Sequence, residues 1–237
     1  MGKNRLRWYV NILLAVLVFG SWFSVFFFGT GSLVRNGLGS LKYFTMLSNI
    51  FVGVMAIAWL VSTQKGAGAD KSGIEIAAES GNESTVESGK DSETAPGFRA
   101  SDRVERLKYI AAASVGLTCA TVLFFLGPIY GYPAMFSGFN LPLHLITPVI
   151  AILEIIFLSD VTYTRRDNLM VMIPPFLYGL GYIANILING MGEWPDTNDW
   201  YLFFHWGYAV GALFYAVLLA VTWLIGLLMR KLQRSGK

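Results

Sequence analysis

Charge is scarce in this 237-residue chain: Asp, Glu, Lys and Arg make up 14% of it, against roughly a quarter in soluble domains. Cysteine is scarcer still. Cys119 stands alone, which excludes an intramolecular disulfide and a cysteine metal cluster. There are two histidines, and the net charge of +3 is too small to argue for nucleic acid as a partner. Apolar residues fill the gap, at 54%, gathered into long runs. This is the composition of a polytopic membrane protein. The N-terminal MGKNRLRW is basic and leads into a long apolar run with no small-residue cleavage site, so it reads as a retained signal-anchor helix. A myristoylation motif needs Ser or Thr at position 6, where Leu6 stands.

A bilayer core of about 30 Å takes about 20 apolar residues per helix. Six stretches qualify: Trp8 to Phe28, Tyr43 to Ser62, Leu107 to Gly127, Phe139 to Leu158, Leu169 to Ile188 and Tyr201 to Met229. Trp8, Tyr43, Tyr109, Tyr130, Trp194 and Trp200 sit near their ends as interface anchors. The expected fold is all-α with six transmembrane helices. Of the 18 Lys and Arg residues, 16 fall on one side of this topology, and only Arg35 and Lys42 fall on the other. That asymmetry places both termini in the cytoplasm and the chain in the plasma membrane. The chain divides into helices 1 and 2 (1–62), a linker (63–103), helices 3 to 6 (104–230) and a basic tail (231–237). The linker is rich in Gly, Ser, Glu and Ala, cannot bury enough surface to offset its ordering entropy, and is expected to be disordered. Its sequon Asn82-Glu83-Ser84 falls on the cytoplasmic side and is discounted.

Polar groups within spans are functional candidates. Helices 2, 4 and 6 run inward, so Thr45, Ser48, Asn49, His144 and His205 all fall within the first turns below the outer boundary. Helix 5 runs outward and brings Asn185 and Asn189 to the same layer, with Tyr182 just below. A shared outer-leaflet pocket is the expectation. Thr45, Ser48 and Asn49 stand at i, i+3 and i+4, on one helix face. In "NLPLHLITPVIAILE", His144 precedes Pro148 by four residues, so its carbonyl is expected to lose its helical donor and the helix to bend. Pro174 and Pro175 break helix 5 in the same way. Glu154 lies about 15 Å deeper than His144. It needs a partner of its own, such as Tyr178, or it is protonated. Each of these residues also has a plain structural reading: Thr bonding a backbone carbonyl, Asn as interhelical glue, His205 reaching water beside Trp206.

The segments "KYFTMLSN" and "NLPLHLITP" resemble the androgen-induced and androgen-dependent membrane hydrolases of animals and their bacterial six-helix relatives. The resemblance spans 1–62 and 104–230. It implies a six-helix hydrolase of fatty acid esters of hydroxy fatty acids, with Thr45 as nucleophile and His144 as base, acting on a lipid ester from the bilayer without metal or cofactor. The animal motif carries Thr after its His, where this chain has Leu145. Chemically, a Thr hydroxyl needs an adjacent base, and a neutral imidazole is the natural one. Ser48, Asn49, Tyr182, Asn185 and His205 are the pocket candidates, with Asn49 or Asn185 as oxyanion donor. Two rival readings stand beside this one. In the first, His144 and His205 ligate a b-type haem between two helices. In the second, the protein binds or transports a small molecule or lipid, with Glu154 as a proton-coupled site.

Overall fold

The computed structural model describes residues 2–28, 37–79, 100–193 and 197–235, with 64–79 as backbone only. Among them every regular element is helical. The helices are α1 (Lys3–Phe28), α2 (Phe44–Glu79, preceded by a 3-10 turn at Gly37–Lys42), α3 (Asp102–Tyr130), the short α4 (Tyr132–Met135), α5 (Pro142–Leu158), α6 (Arg165–Asn189) and α7 (Tyr208–Ser235). Five are long and apolar enough to cross a membrane: α1, α2 over Phe44–Thr63, α3, α6 and α7. α5 is the shorter apolar helix, about 25 Å long at the α-helical rise. Arg35, Trp194 and residues 80–99, with the sequon, lie outside the described residues.

α3 is the central helix. Nearly every residue from Lys108 to Thr118 is buried. Lipid is as apolar as leucine, so close packing rather than water exclusion must hold helices together. The small residues Ala111, Ala112, Ala113, Ser114 and Gly116 let α2, α5 and α7 approach. Ser101 caps the N-terminus of α3, and Asp102 and Glu105 occupy its first turn, where acids oppose the helix dipole. Thr164 and Asp167 form a reciprocal capping box that starts α6.

Several boundaries differ from those the hydropathy predicts. The helical backbone of α2 continues to Glu79, through residues assigned to the linker. α6 breaks at Val171–Met172, and Pro174 then sits in the first turn of the following segment, where a missing N–H costs nothing. α7 starts at Tyr208 rather than Tyr201. Gly207, at φ +96°, turns the chain into the helix, a conformation that favours glycine. Residues 201–207 are therefore a loop.

At one end of the bundle Lys3 pairs with Asp160, Gln233 donates to the Ser159 and Val161 carbonyls, and Arg234 donates to the Tyr163 carbonyl. Both ends of the chain thus meet the α5–α6 connection. The opposite end holds the aromatic cluster of Tyr182, Tyr201 and Phe204 with Met135, Val122 and Leu126.

Candidate functional site

α5 carries two π-helical turns, at Pro142–Ile146 and Glu154–Leu158. The first reshapes the turn that holds His144. Thr147 N–H reaches back five residues to the Pro142 carbonyl. Pro148 has no N–H, and the Leu143 carbonyl, five residues before it, takes a side-chain donor in its place. Asn49 Nδ2 donates to it at 3.0 Å and to the Thr45 carbonyl at 2.8 Å. One side chain therefore ties the Thr45 turn of α2 to the His144 turn of α5. Both amide hydrogens are thereby committed, which removes Asn49 as an oxyanion donor. Its Oδ1 and the Thr147 hydroxyl are buried without partners among the described residues, so the α2–α5 interface keeps unspent polar capacity. Ser48 continues the face: its hydroxyl bonds the Thr45 carbonyl at 3.1 Å and the Thr118 hydroxyl of α3 at 3.0 Å.

His144 is 7% exposed, and its Nδ1 lies 2.6 Å from the Met135 carbonyl. A carbonyl only accepts, so Nδ1 carries the proton and the Nε2 of the neutral ring is a proton acceptor.

Thr45 lines an apolar cavity of about 60 Å³, among α2, α3, α6, α7 and the 201–207 loop. Thr118, Tyr178, Tyr182 and Tyr201 supply hydroxyl groups to its walls. The Tyr201 phenol accepts the Phe44 N–H at 2.8 Å and adjoins both the N–H and the side chain of Thr45. Burial pushes this phenol up to about 12, while hydrogen bonds from Phe44 and Thr45 hold it back. It is a neutral O–H donor at physiological pH. Tyr178 donates to the Lys42 carbonyl at 2.6 Å and accepts from Trp200 Nε1 at 3.2 Å. Tyr182 donates to Asp199, whose other oxygen accepts the Phe204 N–H at 2.9 Å.

Of the sequence candidates, Thr45 and Tyr182 line the cavity, Ser48 and Asn49 support its wall, and His144 sits on the adjoining α5 turn. No hydrogen bond joins Thr45 to His144 among the described residues. Two candidates fall outside. Asn185 faces away and accepts from Asn189 at 2.9 Å on an exposed face. His205 is exposed on the loop, edge-on to Trp206 with ring centroids 5.2 Å apart, because α7 starts after it. His205 stands on an exposed loop rather than on a helix facing His144, so the geometry lends nothing to a bis-His haem site between two helices.

Glu154 does not bond Tyr178. Its Oε1 accepts from Arg7 Nε at 2.8 Å, Lys108 Nζ at 2.6 Å and Asn11 Nδ2 at 3.2 Å. Arg7 also grips Glu105 through two bonds of 2.8 and 2.7 Å, and Trp59 Nε1 donates to the same carboxylate at 2.9 Å. Two acids and two bases, each with its side chain at most 4% exposed, thus close a buried, charge-balanced cluster. Beneath it, burial pushes the Tyr163 phenol upward, and the Glu105 carboxylate adds to the effect. A carboxylate held by three donors suits a clamp between α1, α3 and α5 better than a proton-coupled transport site.

Sequence reasoning missed Tyr178, Tyr201 and Thr118 at the cavity, and Arg7, Glu105 and Lys108 at the cluster. The i, i+4 spacing of Tyr178 with Tyr182 and the i, i+3 spacing of Glu105 with Lys108 were the available signals. Comparison with family models, with curated proteins and with solved structures finds no match to this chain.

Proposed function

We propose that this protein is an integral membrane hydrolase of lipid esters, fatty acid esters of hydroxy fatty acids among them, with Thr45 as nucleophile and His144 as base. It spans the plasma membrane six times, α5 included, with both termini cytoplasmic. The Lys and Arg asymmetry supports that orientation, as does the convergence of Lys3, Gln233 and Arg234 on one connection.

One observation carries the reading: the His144 Nδ1 contact with the Met135 carbonyl presets Nε2 as acceptor, on a turn that Asn49 ties to that of Thr45. In the reaction, Thr45 Oγ1 attacks the ester carbonyl carbon and its proton passes to His144 Nε2. Charge gathers on the carbonyl oxygen, and the neutral Tyr201 O–H beside Thr45 donates to it. The C–O bond to the alcohol breaks, and the imidazolium returns its proton to that oxygen. Water, deprotonated by His144, then attacks the acyl-Thr ester, releases the acid and restores the Thr45 hydroxyl. A buried apolar cavity beside hydroxyl groups suits a substrate whose chains lie in the bilayer and whose ester lies near its surface.

The test is covalent labelling by a fluorophosphonate probe in detergent micelles. Unaltered protein and Ser48→Ala are expected to be labelled, Thr45→Ala and His144→Ala not. Labelling that persists in both of the latter overturns the assignment.

A further inference from the structure

The Thr45 cavity is far smaller than the several hundred Å³ that enclose a drug-sized ligand. An ester with long chains must therefore place most of its hydrocarbon elsewhere. A second, wider space of about 220 Å³ opens between α3 and α7 and shares Leu117, Thr121, Phe203 and Leu218 with the first. Its outer rim faces away from the bundle: Phe124 is 83% exposed and Val217 47%, on helices long and apolar enough to lie in a bilayer. Thr121 is the one polar side chain on its walls.

Phe203 is one of the side chains that separate the two spaces. On the cavity side its ring centroid lies 5.2 Å from Tyr201 and 6.0 Å from Tyr182. On the groove side it lies 5.6 Å from Phe125 and 5.9 Å from Phe214. The ring belongs to the loop 201–207, outside any helix, so no helical hydrogen-bond ladder fixes it.

We infer that the α3–α7 groove is the subsite for an acyl chain of the substrate, which enters from the bilayer and passes Phe203 to bring its ester to Thr45. The occupant is aliphatic because the walls offer it no charge and almost no hydrogen-bonding group. The inference rests on the hydrolase reading for its chemistry, but the groove has a readout of its own.

The experiment uses the full chain. Val217→Trp and Ala120→Trp fill the groove from opposite walls, and neither residue lines the Thr45 cavity. Hydrolysis of p-nitrophenyl butyrate and palmitate is measured in mixed micelles. Both variants are expected to keep butyrate turnover and to lose about tenfold or more on palmitate, as filling an apolar subsite does. In parallel, a diazirine-bearing palmitate ester is photolysed in phosphatidylcholine vesicles with each protein. Adducts are expected on residues 120–125 and 214–221, and Val217→Trp is expected to abolish them. Groove labelling that the Trp variants block, in a protein that cleaves neither ester, overturns the hydrolase reading and leaves the subsite standing. Undiminished palmitate hydrolysis in both Trp variants overturns the subsite and leaves the hydrolase standing. So do adducts confined to the exposed face of Phe124 and indifferent to Val217→Trp, which mean annular lipid only.

Discussion

Asn49 donates to the carbonyl of Leu143, the carbonyl that Pro148 leaves without a backbone donor. The two helices that carry Thr45 and His144 are joined by a defect and its repair. Asn49→Leu removes the donor and leaves a buried carbonyl unmet, which costs about 1–3 kcal/mol. Pro148→Ala restores a backbone N–H near Leu143. The double variant is therefore expected to be less destabilised than the sum of the singles, with a coupling of about 1 kcal/mol. Thermal unfolding in detergent of the four proteins measures it. Additive losses would separate Asn49 from the proline.

The buried cluster of Arg7, Glu105, Lys108 and Glu154 predicts a charge-balance effect. Glu154→Gln leaves Lys108 and Arg7 in excess over Glu105. Removing one partner of a buried pair costs about 3–5 kcal/mol. Glu154→Gln with Lys108→Met restores neutrality and is expected to recover much of the loss. The same unfolding measurement reads it, and a double variant less stable than Glu154→Gln alone contradicts the account.

How much of this was legible in the sequence varies by residue. Thr45, Ser48 and Asn49 at i, i+3 and i+4 gave their shared face correctly, because helical spacing fixes direction. The interhelical bonds that occupy that face were not readable, since they depend on which helices adjoin. Glu154 announced its need for a partner, but Arg7 and Lys108 looked like ordinary flanking cations. Only the fold turns them inward toward one carboxylate. Hydropathy overextended α7 through Tyr201 and His205, because an aromatic loop packed on a bundle is as apolar as a helix. Depth alone grouped Asn185 with the pocket, and the face it occupies on α6 undoes that grouping.

Two glycines on α6 predict opposite signs. A Cβ at Gly179 would lie 2.0 Å from the Tyr215 ring. Tyr215 is held by its own bond to the Phe176 carbonyl at 2.7 Å, so the ring resists moving. Gly181, two residues on, meets nothing within 4 Å. Gly181→Ala is expected to stabilise by about 0.5–1 kcal/mol through helix propensity. Gly179→Ala is expected to destabilise by about 1–3 kcal/mol through overpacking. Midpoints of thermal unfolding that move the same way in both variants refute the packing assignment at Gly179.

Tyr201→Phe tests the remaining step. The phenol has two tasks: it accepts the Phe44 N–H that starts α2, and in the proposed reaction it donates to the oxyanion beside Thr45. The first task predicts a stability loss of about 1 kcal/mol, the usual net worth of a hydrogen bond. The second predicts a fall in kcat of about 100-fold or more with KM little changed, because the donor acts where charge develops and not on the bound ester. A purely structural phenol would lower the unfolding midpoint while kcat per folded molecule stayed the same. Phe keeps the stacking with Tyr182 and Phe203, so the variant isolates the hydroxyl. Since the phenol is neutral up to about 12, its contribution to kcat is expected to be constant across physiological pH.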